Sequence, residues 1–372
     1  MSVENSTKMF LRKIDTPSLI KRRIITVEES KPVTIKMEYI TDVDESLTIQ
    51  LRKKVECLDD LIELSKMYVP GWNYNIDMYR LHKIQKPMQD LRETIGLKAL
   101  KKDIIKQILF FLQDFRSSND DMLHTVIYGS PGVGKTLVGQ IIGELYHKLG
   151  VIKSKGNEYK FKIIKRSDLI GQYLGTTAKK TQEVIDSCIG GVMFIDEAYS
   201  LGNSGKQDIY AKECIDTLNQ NLTEKKGQFM CIIAGYEKDL DECFFRYNEG
   251  LRRRFSFVYG IDKYSVEELV LIFKSMMATG NWKLNIDDSD IVEVFTDHAD
   301  MFINQAGDIE TLVFHCKLEH STRVFCENED MKNKITKDDI SAALEVFKKT
   351  RKIDKLEEQR SAEDLIMKTL YS

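Results

Sequence analysis

The sequence predicts an α/β protein in which a parallel β-sheet is covered by helices on both faces. Five short apolar runs alternate with segments of helical periodicity, at residues 126–128, 161–164, 192–195, 229–234 and 255–258. Runs of this length and composition are typical of strands that are buried on both faces. A glycine-rich turn follows the first run and leads into a helix, and parallel sheets bind their ligands at such carboxyl ends.

Helical periodicity precedes and follows these runs. It predicts helices at 97–115, 265–277, 289–302, 308–326 and 337–349. We expect no strand after Gly260, so a smaller helical domain should follow the sheet. None of the five prolines lies beyond Pro131, which favours one continuous folded unit from Leu91 onward.

The first 85 residues have a different character, with mixed patterning and most of the prolines. Residues 33–40 alternate apolar and polar side chains, as a half-buried strand does, and 51–67 is predicted to be an amphipathic helix that ends at the turn 68–72. The apolar face of that helix is expected to carry Leu58, Leu61, Ile62 and Leu64. Basic clusters at 21–23 and 52–54 are typical of solvated faces, with a partner surface as the alternative. We therefore predict four regions: an N-terminal α+β region of unknown role (1–85), the sheet domain (86–260), the helical domain (261–350) and a C-terminal helical tail (351–372).

The composition describes an ordinary globular chain. It has 372 residues, 42% hydrophobic and 30% charged, with a formal net charge of −3, so no strong overall field attracts nucleic acid or a membrane. The apolar runs are too short to span a bilayer, and the polar N-terminus lacks the apolar core of a signal peptide. We expect a soluble intracellular protein located in the cytoplasm. The seven cysteines contain no Cys-x-x-Cys pair, so neither a zinc site nor a redox motif is predicted.

A phosphate-binding loop is indicated by the segment Gly-Ser-Pro-Gly-Val-Gly-Lys-Thr at 129–136. Its glycines allow successive backbone N–H groups to face one concavity at a helix N-terminus, which favours phosphate. Lys135 is expected to reach the β- and γ-phosphates and Thr136 to hold Mg²⁺. The residues predicted to bind the nucleotide here are Gly129, Ser130, Pro131, Gly132, Val133, Gly134, Lys135, Thr136 and Leu137.

Two acids end the third apolar run, about 60 residues after the phosphate-binding loop. Asp196 is suited to orienting Mg²⁺ through its water shell. Glu197 is suited to polarising the water that attacks the γ-phosphate. An exposed pair of loop acids is the alternative interpretation.

Together these motifs resemble the AAA+ ATPases, with ATP and Mg²⁺ as cofactors. Three further segments, at 198–199, 233–236 and 250–255, are similar to the CbxX/CfqX-type group, which includes the red-type rubisco activases and the stage V sporulation K proteins. The resemblance covers residues 91–350 and leaves 1–85 unexplained. It implies a P-loop AAA+ sheet domain with a C-terminal helical lid, and a nucleotide between them with Ile95 and Gly96 beside the adenine.

The same resemblance assigns roles to an arginine cluster and to an aromatic loop. It makes one of the three arginines at 252–254 a finger that enters the next subunit's site, with Arg254 favoured over Arg252. A finger acting in trans requires an oligomer, and the family forms closed rings, usually of six. Tyr173 and Leu174 look like the pore loop that grips a peptide in the ring's channel. Local packing of these two side chains is the alternative.

Two positions depart from the family pattern. Many relatives have a γ-phosphate-sensing arginine at the start of the third lid helix, where this chain has Asp308 and Glu310, with Asp308 a candidate N-cap and Lys317 a weak substitute for the arginine. Tyr236 stands where many AAA+ proteins have a polar sensor. The lid sequence resembles copies encoded by large DNA viruses, which would place such a copy in the host cytoplasm or the virion.

Three functions remain open from the sequence. The favoured one is an Mg-ATP-driven remodelling motor that forms a ring, hydrolyses ATP between subunits and pulls on an unidentified protein client. A nucleic-acid-associated loader or helicase accessory is the second, although the near-neutral charge and the lack of a nucleic-acid module oppose it. A nucleotide-gated scaffold with little turnover is the third, motivated by Glu310 and opposed by the presence of both Asp196 and Glu197.

Overall fold

The computed structural model describes residues 48–115, 122–153, 159–173, 175–202, 208–248, 250–327 and 331–351, and the backbone of 21–26 and 34–39. The chain forms two compact units, Met1–Gln85 and Lys86–Ser372. Within these described ranges no helix is long and apolar enough to cross a membrane. The predicted C-terminal tail, apart from Arg351, lies outside the described residues.

The first unit is a small α+β structure. Its described elements are β1 (Lys21–Thr26), β2 (Thr34–Tyr39), β3 (Thr48–Ile49), α1 (Leu58–Lys66), β4 (Asn73–Tyr74) and α2 (Met78–Lys83). Strands β1 and β2 pair antiparallel, whereas β3 and β4 pair parallel. The strand predicted at 33–40 is therefore present as β2.

The predicted helix at 51–67 begins later than expected. Residues 51–56 are not helical, because the backbone N–H of Leu51 donates to Oδ1 of Asn75 at 2.9 Å and its carbonyl accepts from Nδ2 at 3.0 Å. The helix starts only after Cys57, where the Asp60 carboxylate accepts the backbone N–H of Cys57 at 3.0 Å. The expected apolar face, from Leu58 to Leu64, is buried as predicted.

The second unit contains a five-stranded parallel sheet, which confirms the predicted fold class. Its strands are β5 (His124–Gly129), β6 (Phe161–Ile164), β7 (Val192–Ile195), β8 (Met230–Gly235) and β9 (Phe255–Ile261). They lie in the order β6-β7-β8-β5-β9. The strand that leads to the phosphate-binding loop is therefore an interior strand, and the central strand β8 separates it from β7, which is followed by Asp196.

Helices cover both faces of this sheet. The helices that precede and separate its strands are α3 (Gln85–Glu93), α4 (Lys98–Leu112), α5 (Lys135–Lys148), α6 (Arg166–Leu169), α7 (Thr177–Ser187), α8 (Ile209–Glu224) and α9 (Glu237–Cys243). Met193 and Ile195 pack in one core with side chains of α7 and α8. Phe194 points the other way, onto α5, where a Cβ atom at Gly139 would lie 2.6 Å from its ring. This alternation follows from the period of two along a strand.

The helical part after β9 also contains two strands, contrary to the expectation that strands stop at Gly260. Its elements are α10 (Val266–Thr279), β10 (Lys283–Asn285), α11 (Asp288–Asp297), α12 (Ala306–Arg323), β11 (Lys334–Thr336) and α13 (337–351). Strands β10 and β11 pair parallel over three residues, too few for a recognisable sequence pattern. The predicted helix 289–302 is shorter, since a separate 3₁₀ turn, Ala299–Met301, follows α11.

A buried polar network joins β11 and α13 to the end of α12. The Asp339 carboxylate accepts from Nε and Nη2 of Arg323, both at 2.8 Å, and from the backbone N–H of Thr336 at 2.9 Å. Nδ1 of His320 lies 3.1 Å from the same carboxylate. Burial opposes the charge, but these hydrogen bonds hold the pKa of Asp339 below its usual range. The network fixes the end of the helical part.

Candidate active site

The phosphate-binding loop joins β5 to α5 through two residues with left-handed backbone. Gly132 has φ of +68° and Gly134, which precedes the helix, has φ of +85°. A side chain is also excluded at Gly129, where a Cβ atom would lie 2.8 Å from the Val133 side chain. The first-turn N–H groups of α5 have no partner within the helix, so the loop surrounds a positive helix end that suits phosphate.

Lys135, the first residue of α5, folds back over this loop. Its Nζ donates to the carbonyl oxygens of Gly129 and Ser130, each at 3.0 Å, and lies 3.9 Å from Oε1 of Glu197. The side chain is only 7% exposed. Burial lowers the pKa of Lys135, and the nearby carboxylates of Glu197 and Asp196 oppose that effect. The ammonium group therefore lies between the loop and the two acids.

The two acids follow β7 directly. The backbone N–H of Glu197 donates to Oδ1 of Asp196 at 3.1 Å, and Glu197 has left-handed backbone with φ of +50°. A 3₁₀ turn, Ala198–Leu201, starts immediately after it. Oε2 of Glu197 is buried and has no hydrogen-bond partner among the described residues. A buried carboxylate oxygen without a donor needs an explanation, and a water molecule held for reaction would supply the missing donor.

A stacked pair of tyrosines lies next to Lys135, and neither ring has a role predicted from the sequence. The rings of Tyr199 and Tyr236 stack with centroids 5.6 Å apart, and Nζ of Lys135 lies 5.3 Å from the centroid of Tyr236. Tyr236 follows β8, so its ring lies between the phosphate-binding loop and the acids. Burial and the charge of Glu197 raise the pKa of both phenols, so they remain neutral donors.

The residues predicted beside the adenine lie against the helical part. Ile95 packs on its apolar core. Gly96 has φ of +70°, and a Cβ atom there would lie 3.0 Å from Oε1 of Glu268. Oε2 of Glu268 accepts the backbone N–H of Ser265 at 2.9 Å, which fixes the start of α10. Ile95 and Gly96 therefore lie where the sheet and helical parts meet, and their contact with adenine stays a prediction.

The helical part also contacts the phosphate-binding loop directly. The Tyr264 hydroxyl donates to the carbonyl of Val133 at 2.9 Å, and the backbone N–H of Ala306 donates to the carbonyl of Gly132 at 3.2 Å. A Cβ atom at Gly132 would lie 2.0 Å from the backbone oxygen of Asn304. Backbone therefore meets backbone at this contact, which explains why position 132 is glycine.

Asp308 is not the N-cap of α12, contrary to the suggestion from the sequence. The helix begins at Ala306, so Asp308 lies inside its first turn. Its buried carboxylate accepts the backbone N–H of Asn304 at 2.6 Å and a hydrogen bond from Arg351. Glu310 is exposed. Nζ of Lys317 lies 5.7 Å from the ring centroid of Trp282, within the helical part.

The three arginines form a short 3₁₀ turn before β9 and differ in their contacts. Arg254 donates from Nε to the Thr223 hydroxyl at 3.1 Å and from Nη1 to the carbonyl of Gly250. Arg252 pairs with Asp241 and lies over the Phe245 ring. Arg253 is exposed and makes no hydrogen bond or ion pair within the described residues. The assignment of the finger to Arg254, then Arg252, stays a prediction, and Arg253 becomes a third candidate.

Tyr173 lies on the loop between α6 and α7 and is 72% exposed. The Thr176 hydroxyl donates to its carbonyl at 2.7 Å, and the N–H of Gly171 donates to the Thr177 hydroxyl at 3.1 Å. The loop is therefore held at both ends while the ring projects outward. Leu174, its predicted companion, lies outside the described residues.

Magnesium has no ready-made protein site. Among the described residues, no group of three or more His, Cys, Asp or Glu side chains could hold a metal ion. Mg²⁺ usually binds one or two carboxylates together with nucleotide phosphates and water. The half-buried Thr136 hydroxyl in the first turn of α5 and the Asp196 carboxylate after β7 fit that pattern. Their assignment as magnesium ligands stays a prediction.

Comparison with known proteins decides the family. The model of the ATPase family associated with various cellular activities (AAA) matches residues 125–262. The chain is 42% identical over 295 residues to a cfxQ-like protein of Acanthamoeba polyphaga mimivirus, covering 78% of this chain and 72% of that protein. The chain belongs to the AAA ATPase family, in its CbxX/CfqX group. As a member of this family it binds nucleotide and is an ATP hydrolase.

Two further relatives of this AAA ATPase have the names of proteins in the predicted group. Stage V sporulation protein K of Bacillus subtilis is 37% identical over 212 residues, covering 55% of this chain and 63% of that protein. The chloroplastic ribulose bisphosphate carboxylase/oxygenase activase of Cyanidioschyzon merolae is 32% identical over 259 residues, covering 66% and 86%. The AAA domain of FIGL-1, crystallised with ADP, aligns with a TM-score of 0.52 at 18% identity, covering 68% and 83%, which shows the fold alone.

Proposed function

We propose that this AAA ATPase is an ATP-driven motor that remodels a protein client. The observation that carries the proposal is Tyr173, a largely exposed aromatic side chain on a loop held at both ends by hydrogen bonds. A projecting ring whose backbone carbonyl is held by a hydrogen bond is suited to gripping a chain, because little conformational entropy is lost on contact. The similarity to a rubisco activase, a protein named for acting on another protein, supports the same class of function.

The hydrolytic step is assigned to the residues at the ends of β5 and β7. The amides of the phosphate-binding loop and Lys135 bind and orient the phosphates, and Thr136 and Asp196 would hold Mg²⁺, which neutralises charge on the phosphates. Oε2 of Glu197, which is buried and has no hydrogen-bond partner in the described part of the chain, would accept a hydrogen bond from the attacking water. An arginine from a neighbouring subunit completes the site in a closed ring, which we expect to be a hexamer.

The first experiment compares ATP turnover and ATP binding in the wild type and Glu197→Gln. We expect the variant to bind ATP normally and to lose turnover by about 100-fold or more, since general-base contributions have this size. Equal, negligible turnover in both proteins would instead support the nucleotide-gated scaffold.

The second part of the experiment uses Glu197→Gln as a trap that holds ATP and client. Adding Tyr173→Ala to the trap should abolish client capture from a lysate, whereas adding Phe115→Ala should not, because Phe115 is a similarly exposed aromatic residue, 64% exposed, outside the loop. Equal capture by both double variants would exclude a grip through Tyr173. Capture of DNA or RNA instead of protein would favour the nucleic-acid-associated alternative.

A further inference from the structure

Arg166 makes a fork of hydrogen bonds between two loops of the sheet domain. It is the first residue of α6, seven positions before Tyr173. Its Nη1 donates to the carbonyl oxygens of Ser200 and Leu201, each at 2.7 Å, and its Nη2 donates to Oδ2 of Asp208 at 2.6 Å. One planar guanidinium thus joins segments that lie 34 to 42 residues away in the sequence.

One arm of this fork ends on the turn that begins at Glu197. The N–H of Ser200 donates to the carbonyl of Glu197 at 2.8 Å, and the N–H of Gly202 donates to that of Tyr199 at 3.1 Å, so the turn is internally closed. Arg166 binds the carbonyls at its far end. Any movement of Glu197 that shifts this turn therefore also shifts the acceptors of Arg166.

The backbone of Arg166 belongs to the base of the Tyr173 loop. Its carbonyl accepts the N–H of Ile170 at 3.0 Å. Nζ of Lys180 donates to the carbonyls of Ser167 at 2.6 Å and Ile170 at 2.9 Å. These bonds tie α6 to α7 on either side of the loop. A displacement of Arg166 therefore moves Ile170, three residues before Tyr173.

Asp208 is the third partner of the Arg166 side chain, and its position is fixed by the helix that it caps. Its Oδ1 accepts the N–H groups of Tyr210 at 3.0 Å and Ala211 at 3.2 Å, which caps α8, and Oδ2 remains for Arg166. The pair is partly exposed, with side-chain exposures of 37% and 22%, so its contribution to stability is small. Stabilisation of the fold therefore does not explain why an arginine at this position binds two carbonyls and a carboxylate.

We propose that Arg166 is a positioning residue that couples the state of the Glu197 turn to the position of the Tyr173 loop. This inference rests on the proposed function, because it names the connection between ATP hydrolysis and the client-gripping side chain. The side chain of Arg166 binds Ser200, Leu201 and Asp208, and none of these three residues has been assigned a contact with nucleotide or client. Replacing Arg166 should therefore leave ATP binding unchanged and weaken the response of the Tyr173 loop to the bound nucleotide.

The test is hydrogen exchange of peptides covering 168–176 in the full chain, measured with ATPγS and with ADP. In the wild type the two nucleotides should give different exchange, and in Arg166→Met the difference should fall by about fivefold, the middle of the range for coupling residues. KM for ATP should stay within about twofold while kcat falls by about fivefold. Arg166→Lys, which retains the charge, should recover part of the response.

The matched control is Lys148→Met, which removes an ion pair with Glu144 of similar exposure, 31% and 27%, at the far end of α5. It should leave the exchange difference unchanged. If Arg166→Met fails to fold, Asp208→Asn replaces it, since the amide oxygen still caps α8 while the charge partner is lost.

An equal exchange difference in the wild type and the Arg166 and Asp208 variants would overturn the coupling. A wild type that turns over ATP and captures client without any nucleotide-dependent exchange at 168–176 would overturn it as well, and the proposed function would stand. Absence of turnover in the wild type would instead count against the proposed function.

Discussion

His124, at the start of the strand that leads to the phosphate-binding loop, is a fully buried titratable side chain. Its Nδ1 accepts the N–H of Cys231 at 3.0 Å, and its Nε2 donates to the carbonyl of Leu222 at 3.2 Å. The neutral ring satisfies both partners, and burial lowers its pKa to about 4. An unfolded chain takes up this proton below pH 6.5, whereas the folded chain does so only near pH 4. The free energy of unfolding should therefore fall by about 2 kcal/mol between pH 7 and pH 5 on account of this residue.

Urea unfolding of the wild type and His124→Asn at pH 7, 6 and 5 checks this prediction. The asparagine oxygen replaces Nδ1 as the acceptor for Cys231 but cannot titrate, so the variant should lose this part of the pH dependence. Asp60 and Asp339 also have lowered pKa values, but their contributions are lost only below the ordinary carboxylate range. The same pH dependence in both proteins would show that His124 is not its source.

At the scale of elements, the contact between the phosphate-binding loop and the turn at 304–307 fixes how the helical part meets that loop. Gly132→Ala should push the Asn304 backbone away, because its Cβ atom would lie 2.0 Å from that oxygen. We expect a loss of roughly 1–3 kcal/mol in the free energy of unfolding from overpacking. We also expect ATP to bind about tenfold more weakly, which corresponds to 1.4 kcal/mol.

Gly150→Ala is the matched control for this contact. Gly150 has φ of +71°, close to that of Gly132, and nothing lies within 4 Å of a Cβ atom placed there. The control therefore measures the cost of the left-handed backbone alone. Calorimetry and titration with a fluorescent ATP analogue measure both variants. Equal losses of stability and affinity would mean that the turn at 304–307 moves away freely.

At the scale of the whole molecule, the candidate site has acids and a lysine but no arginine assigned to the transferring phosphate. In the ring that we propose, a neighbouring subunit would supply it, so turnover per subunit should rise with protein concentration. Arg254→Ala should reduce turnover by about a thousandfold at saturating concentration, the lower end for arginine fingers. Light scattering on the same samples measures the size of the oligomer at each protein concentration.

Arg252→Ala and Arg253→Ala provide the comparison for this experiment, because each removes one charge from the same 3₁₀ turn. Arg254 is bound to Thr223 and Gly250 within its own chain, so it must release these contacts to act in trans. A larger loss of ATP turnover in Arg253→Ala than in Arg254→Ala would identify the exposed Arg253 as the arginine finger. Turnover that is independent of concentration in every protein would oppose a shared site.

The sequence by itself determined the parts of this protein whose information is local. The strands at 161–164 and 192–195 have the bounds that the sequence predicts. Residues 192–195 are a continuous apolar run because that strand is buried on both faces, whereas 161–164 lies at the edge of the sheet and only Ile164 is buried. The phosphate-binding loop follows from glycines and a lysine within eight residues, and the acid pair from its position at a strand end. Family membership follows from the same short motifs.

The tertiary structure decided what depends on residues distant in the sequence. Leu51 is extended because Asn75 holds it, and β10 exists only because β11, about 50 residues later, lies beside it. The contact of Gly132 with Asn304 and the fork of Arg166 are of the same kind. Periodicity and capping act over a turn or two of chain, whereas a hydrogen bond across the fold has no local signature, so its partners become visible only once the chain has folded.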